Sequence, residues 1–209
     1  IILNSANGKK YGLINLPSFN ADFEDANGRN ASDDIKNELI KLKTQNVEGI
    51  ILDLRSNGGG CLTEVGDIMG LFMNAGAYVQ VKDGNGKIQT LKNKSTTPLW
   101  TGPLVIMQNE LSASASEILA GALKDNNKAT LVGTKTYGKG IIQELNKLSD
   151  GSGLKVTVSE YYTPNHTAIN KIGITPDVEV ELSDEAKKQL NLEEKDDNQL
   201  QKAIEILKK

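Results

Sequence analysis

Three short stretches of this 209-residue sequence carry residue types at spacings that suit chemistry. The first is Asp53-Leu54-Arg55-Ser56-Asn57-Gly58-Gly59-Gly60, directly after a continuously apolar run. Glycines accept φ > 0 and let backbone N–H groups turn toward a ligand. Such a loop at the carboxyl end of a strand suits a phosphate or a developing oxyanion. It suits equally a tight turn into the next helix.

The second stretch is Ser112-Ala113-Ser114-Ala115-Ser116-Glu117-Ile118. Ser114-x-x-Glu117 matches the capping box, in which serine and glutamate satisfy each other's orphan N–H groups. A serine at a helix start also sits among unpaired N–H donors at the positive end of the dipole. There it can act as a nucleophile, with the Ala115 N–H stabilising the oxyanion that forms and the flanking alanines leaving room for a substrate. Both readings stay open at this level.

The third stretch, Gly133-Thr134-Lys135-Thr136-Tyr137-Gly138-Lys139-Gly140, fits G-x-x-x-x-G-K. It fails as a phosphate-binding loop at Gly140, where that motif needs Ser or Thr for magnesium, and the following IIQEL reads as a strand. The plainest alternative is a hairpin bend with a solvated lysine. Another is a general base. Bringing a lysine from about 10.4 to the 7–8 useful for a base costs about 4 kcal/mol. Burial in a dry, apolar site supplies that by penalising the charged form, and Ile141 and Ile142 are placed to dry it.

Other chemistries lack material. The single histidine, His166, lies in a polar loop and makes a poor triad base. One histidine and one cysteine, Cys61, leave no metal site of known spacing and no internal disulfide. No cofactor is expected. A net charge of −3 with both signs interspersed argues against a nucleic-acid partner. No apolar run reaches the 18 residues of a membrane span. The chain opens on Ile1 and reads as a mature form or an excised fragment, with no secretory signal visible.

The elements that must hold these stretches follow from periodicity. Gly49–Leu54 and Pro103–Met107 are short apolar runs, hence buried strands. Tyr11–Leu16, Thr130–Val132, Ile141–Leu145 and Leu154–Tyr162 are further strands, and a short one follows the turn at Pro176. Asp83-Gly84-Asn85-Gly86 marks a hairpin between Tyr78–Lys82 and Lys87–Leu91. Ser32–Gln45, capped by Ser32, Leu62–Met73 and Ser114–Lys124 are amphipathic helices. Asn20–Asn30 is a polar loop. Leu200, Ala203, Ile204 and Leu207 put one more helix in the charged end. Alternating strands and helices predict an α/β fold in one domain.

Taken together, DLRSNGGG, SASASEI with Lys124-Asp125, and VGTKTYGKGIIQ resemble the carboxy-terminal processing peptidases, also called tail-specific proteases. GLINLPSFNADFEDANGRN near the start and KIGITPDVEV near the end extend the likeness over about residues 10–182. The larger periplasmic tail-specific branch looks nearest. The resemblance implies a ClpP/crotonase-like core of β-β-α units with a strand-rich periphery. That core spans 1–182, with 183–209 as a charged helical extension of the same domain.

The resemblance also implies roles. Ser114 is the nucleophile, Lys139 the base, and Gln143 orients the lysine. The oxyanion donors are the N–H groups of Ala115 and a glycine of the Gly58–Gly60 loop, placed at Gly60. Asp125 matches a family aspartate of structural role. Substrates would be proteins with apolar C-termini, in the periplasm or cell envelope. The PDZ domain usual in the family has no counterpart here and would lie upstream or be missing. The alternatives are a non-catalytic peptide-binding relative and a nucleotide binder built on the P-loop-like stretch.

Overall fold

A computed structural model describes residues 1–4, 8–22, 28–95, 97–189 and 192–208. In chain order the elements are β1 (Ile2–Asn4), β2 (Lys10–Asn15), α1 (Ala31–Thr44), β3 (Gly49–Asp53), α2 (Leu62–Phe72), β4 (Ala77–Asp83), β5 (Ile88–Lys92), β6 (Leu104–Gln108), α3 (Ala115–Asp125), β7 (Thr130–Gly133), β8 (Ile141–Lys147), β9 (Gly153–Tyr162), β10 (Val178–Glu179), α4 (Asp184–Lys187) and α5 (Asn198–Leu207).

The continuous apolar runs become β3 and β6, in which every residue is buried. They lie at the centre of a six-stranded sheet ordered β1-β2-β3-β6-β7-β10, antiparallel only between β1 and β2. Their side chains divide with period two. Ile50, Leu52, Leu104 and Ile106 join the core that includes α1, α2 and α3. Ile51, Val105 and Met107 join a second core with Leu200, Ala203 and Leu207 of α5. Burying each α5 leucine contributes about 1.5–3 kcal/mol, so the charged end is held to the back of the sheet by its apolar stripe.

The second sheet is antiparallel, ordered β5-β4-β9-β8. The Asp83–Gly86 turn forms as expected, with Asp83 Oδ1 accepting from the N–H groups of Asn85 and Lys87 at 2.9 Å each. The β8–β9 arm leaves Leu145, Leu154 and Val156 exposed. No helix among the described residues is long and apolar enough to cross a membrane.

Helix α1 departs from the expected start. It begins at Ala31, with Asn30 at the N-cap. Ser32 lies inside the first turn and its N–H donates to Glu64 Oε2 at 2.7 Å. A buried carboxylate from α2 meets this orphan donor, so no serine cap is needed. Part of the Asn20–Asn30 loop, residues 23–27, lies outside the described residues.

Candidate active site

The glycine loop and the serine segment are joined by their own polar groups. Asn57 is fully buried. Its Oδ1 accepts from the Gly59 N–H at 2.8 Å and its Nδ2 donates to the Leu16 carbonyl at 2.7 Å. The Asn57 carbonyl accepts from the Ala113 N–H and from Ser116 Oγ, each at 2.9 Å. Ser112 Oγ donates to the Leu54 carbonyl at 2.8 Å. The outer two serines of the Ser112–Ser116 stretch are therefore buried and committed to backbone, while the middle one is half-buried at the helix start.

Ser114 is the N-cap of α3, with φ 58° and ψ −116°. A non-glycine residue there stores about 1–3 kcal/mol of strain and persists only where its surroundings over-determine it. Its N–H donates to Glu117 Oε2 at 2.9 Å, so the capping arrangement read from sequence is present. The Ala115 N–H, first in the helix, has no intrahelical acceptor.

Gly59 has φ +101°, and a Cβ there would stand 2.7 Å from the Ala113 carbonyl oxygen and 2.8 Å from Ser114 Cβ. The Gly59 carbonyl accepts from the Phe19 N–H at 3.1 Å. In a trans peptide the next N–H points the opposite way, so the Gly60 N–H is turned away from Phe19. Gly59→Ala combines this backbone strain with a clash against the Ala113–Ala115 segment. It should cost at least about 2 kcal/mol and lower Tm by about 4–8 °C. Gly58→Ala, with nothing within 4 Å of its Cβ position, should leave Tm unchanged. Thermal melts of the two variants check this, and equal Tm values would contradict the close approach.

Glu117 also reaches the third stretch. Its carboxylate is fully buried. Oε1 accepts from Thr136 Oγ1 and from the Gly138 N–H, each at 2.6 Å, and Oε2 accepts from the Lys139 N–H at 2.8 Å. One oxygen thus holds the backbones of both Ser114 and Lys139. The Tyr137 N–H donates to the Ser112 carbonyl at 3.0 Å. Behind this strap, Lys171 N–H donates to the Gly138 carbonyl at 2.8 Å and Ile174 N–H to Thr136 Oγ1 at 2.6 Å. At Gly140 a Cβ would lie 2.3 Å from the Asn170 nitrogen, which is why glycine follows the lysine. Sequence reasoning placed Glu117 only in the cap; the glutamate three residues after the serine was its one visible signal.

Two expectations meet a different picture. Lys139 is exposed, and Ile141 and Ile142 are only half-buried on the projecting arm, so these residues do not form the dry pocket expected around the lysine. Gln143 is exposed on β8, where its Nε2 donates to Thr157 Oγ1 at 3.4 Å across the pair with β9. Among the described residues no hydrogen bond joins Lys139 to the side chains of Ser114 or Gln143. The P-loop-like stretch leads into the strand β8 and not into a helix, so it lacks the helix N-terminus that cradles phosphate.

The remaining polar candidates sit elsewhere. His166 stacks on Tyr162, with ring centroids 4.9 Å apart, and its Nδ1 lies 2.7 Å from Gln80 Oε1. Asp125 Oδ2 accepts from the Asn165 N–H at 2.7 Å, a loop-closing contact at the end of α3. Cys61 Sγ lies 3.0 Å from Thr63 Oγ1 at the start of α2. No group of three or more His, Cys, Asp or Glu side chains among the described residues is arranged to hold a metal ion.

The α/β core presents a strained serine at a helix start, between the glycine loop and the Thr136–Lys139 stretch. The chain belongs to peptidase family S41, whose family model matches residues 10–180. It is 44% identical over 180 residues to a carboxyl-terminal-processing protease of Synechocystis, covering 85% of this chain and 40% of that one. To a tail-specific protease of Haemophilus influenzae it is 34% identical over 208 residues, covering 96% and 28%. Identity is thus higher to the first, against the expected nearness to the tail-specific branch. A solved photosystem II D1 C-terminal processing protease superposes with a TM-score of 0.73 at 36% identity, covering 86% of this chain and 44% of that chain. The chain spans less than half the length of each of these relatives.

Proposed function

We propose that the chain is the catalytic core of a serine endopeptidase that cleaves proteins near their C-termini through a Ser114/Lys139 dyad. The observation that carries this is the Glu117 carboxylate, which seats the backbones of both residues on one oxygen atom. Ser114 Oγ attacks the scissile carbonyl and its proton passes to neutral Lys139 Nζ. The oxyanion takes the N–H groups of Ala115 and Gly60. The amine product leaves with a proton from Lys139, and a water deprotonated by the same lysine hydrolyses the acyl-enzyme. A peptide lying over the exposed lysine excludes water from the two residues. Gln143 orients the lysine once it leaves Thr157.

Substrates in this reading have apolar C-terminal tails, and a PDZ domain outside these residues captures them. The supporting fact is the short span of this chain on its relatives. The names of related chloroplastic forms support a place outside the cytosol, and we assign the protein to the periplasm or cell envelope.

The exposed Lys139 favours a second reading, a peptide-binding relative with a disengaged dyad. Acid quenching during turnover of an apolar-tailed peptide, followed by peptide mapping, separates the two. The expected result is an acyl adduct on Ser114. An adduct elsewhere, or hydrolysis with none on Ser114, rejects the nucleophile. Peptide binding without hydrolysis or adduct selects the second reading.

A further inference from the structure

Residues 192–208 lie beyond the stretch that the family model matches, yet Asp197 and Gln199 among them reach the stretch that opens the glycine loop. Asp197 is the N-cap of α5, its Oδ1 accepting from the Leu200 N–H at 2.9 Å. Its other oxygen lies 2.8 Å from Arg55 Nη2. Gln199 Oε1 accepts from Arg55 Nη1 at 3.0 Å, and Gln199 Nε2 donates to the Val180 carbonyl at 2.7 Å. Asp53 holds the same guanidinium through Nε and Nη2, at 2.7–3.1 Å. Side-chain exposure is 18% for Arg55, 8% for Asp53 and 6% for Asp197, so water screens these contacts little.

Asp53 alone already balances the Arg55 charge and forms a two-point contact with it. Asp197 and Gln199 are therefore not needed for charge compensation; they fix the direction of the guanidinium. Nor are they needed to dock α5, which buries Leu200, Ala203 and Leu207 against the sheet. Arg55 opens the stretch that carries the serine segment. The Ser56 N–H donates to Asn109 Oδ1 at 2.8 Å, and the carbonyls of Leu54 and Asn57 hold Ser112, Ala113 and Ser116.

We propose that Asp197, with Gln199, is a positioning residue for the candidate active site: through Arg55 it fixes residues 54–57, on which the Ser112–Ser116 segment hangs. The catalytic consequence rests on the peptidase reading above; the mechanical one does not. The C-terminal segment thus sets the alignment of the oxyanion loop and the nucleophile from the opposite face of the sheet.

The test is Asp197→Ser, which keeps a hydroxyl to cap α5 and removes the Arg55 contact. Hydrogen exchange and peptide hydrolysis are measured on the wild type and the variant. The expected exchange result is faster exchange across residues 54–60 and 112–116, with 198–207 protected as in the wild type. In hydrolysis, kcat should fall about 10- to 100-fold, the size of effect a small misplacement produces, with KM changed less than about two-fold. Exchange at 54–60 and 112–116 equal to wild type overturns the brace, as does unchanged kcat in a variant of lower Tm. Gln199→Met leaves the cap and both carboxylates in place. It should give the same pattern more weakly, and it decides the question if Asp197→Ser does not fold. A wild-type protein that cleaves no peptide defeats the peptidase reading, while the exchange result still decides the brace.

Discussion

Ser114→Ala is expected to lower peptide hydrolysis by about 10⁴- to 10⁶-fold, and Lys139→Ala by a comparable factor, because in the proposed dyad nucleophile and base act as one unit. The double variant should be no slower than either single one, for the same reason. Neither change should disturb the fold. Alanine at position 114 takes the same φ of 58° with the same strain, and its N–H still meets Glu117. The Lys139 side chain is exposed, and the contact that seats the residue is its backbone N–H. Tm should therefore stay within a few degrees of wild type in both. Ser114→Gly, by contrast, releases the strain and should raise Tm by about 2–4 °C for a gain of about 1 kcal/mol, with hydrolysis still absent. Steady-state rates and thermal melts on the same preparations check all four variants. Wild-type rates in Ser114→Ala or Lys139→Ala would dispose of the dyad.

The parts of this site that can be read from sequence are those set by local rules. The β3 and β6 runs announce strands buried on both faces, and the stripe from Leu200 to Leu207 announces α5, because burial on one or two faces leaves a periodic imprint. Turn chemistry did the same for Asp83–Gly86. What resists reading is any contact between distant stretches. Nothing in the spacing of Ser114 and Lys139 says that their backbones share one carboxylate; that needs the second, third and fourth hydrogen bonds of Glu117. Ser32 looked like a cap because Glu64, far along the chain, cannot be seen from its neighbourhood. The dryness expected at Lys139 followed from two adjacent isoleucines, but these are only half-buried at the start of β8 and leave the lysine exposed. Arg55 and Asp197 are the extreme case: both are ordinary charged residues until the sheet brings them together.

Glu117→Gln is the substitution expected to damage structure and activity together. The carboxylate receives four donors on two oxygen atoms and is fully buried. An amide keeps one oxygen and puts two N–H donors where the other stood. Either orientation then points the amide at a backbone N–H, leaving at least one backbone donor unsatisfied out of reach of water. Breaking charge-assisted hydrogen bonds at such a site costs about 3–5 kcal/mol, a fall in Tm of about 6–20 °C. If the amide oxygen stays with Thr136 and Gly138, the amide faces Ser114 and Lys139 and the two reacting residues drift apart. If it turns, the strap behind them loosens. Both outcomes should reduce kcat by at least about 100-fold, because both misplace the two groups at once. The alanine variants at 114 and 139 provide the contrast: activity lost with stability kept. Glu117→Gln should lose both, and a variant that melts like wild type would show that the carboxylate does not bind the two stretches together.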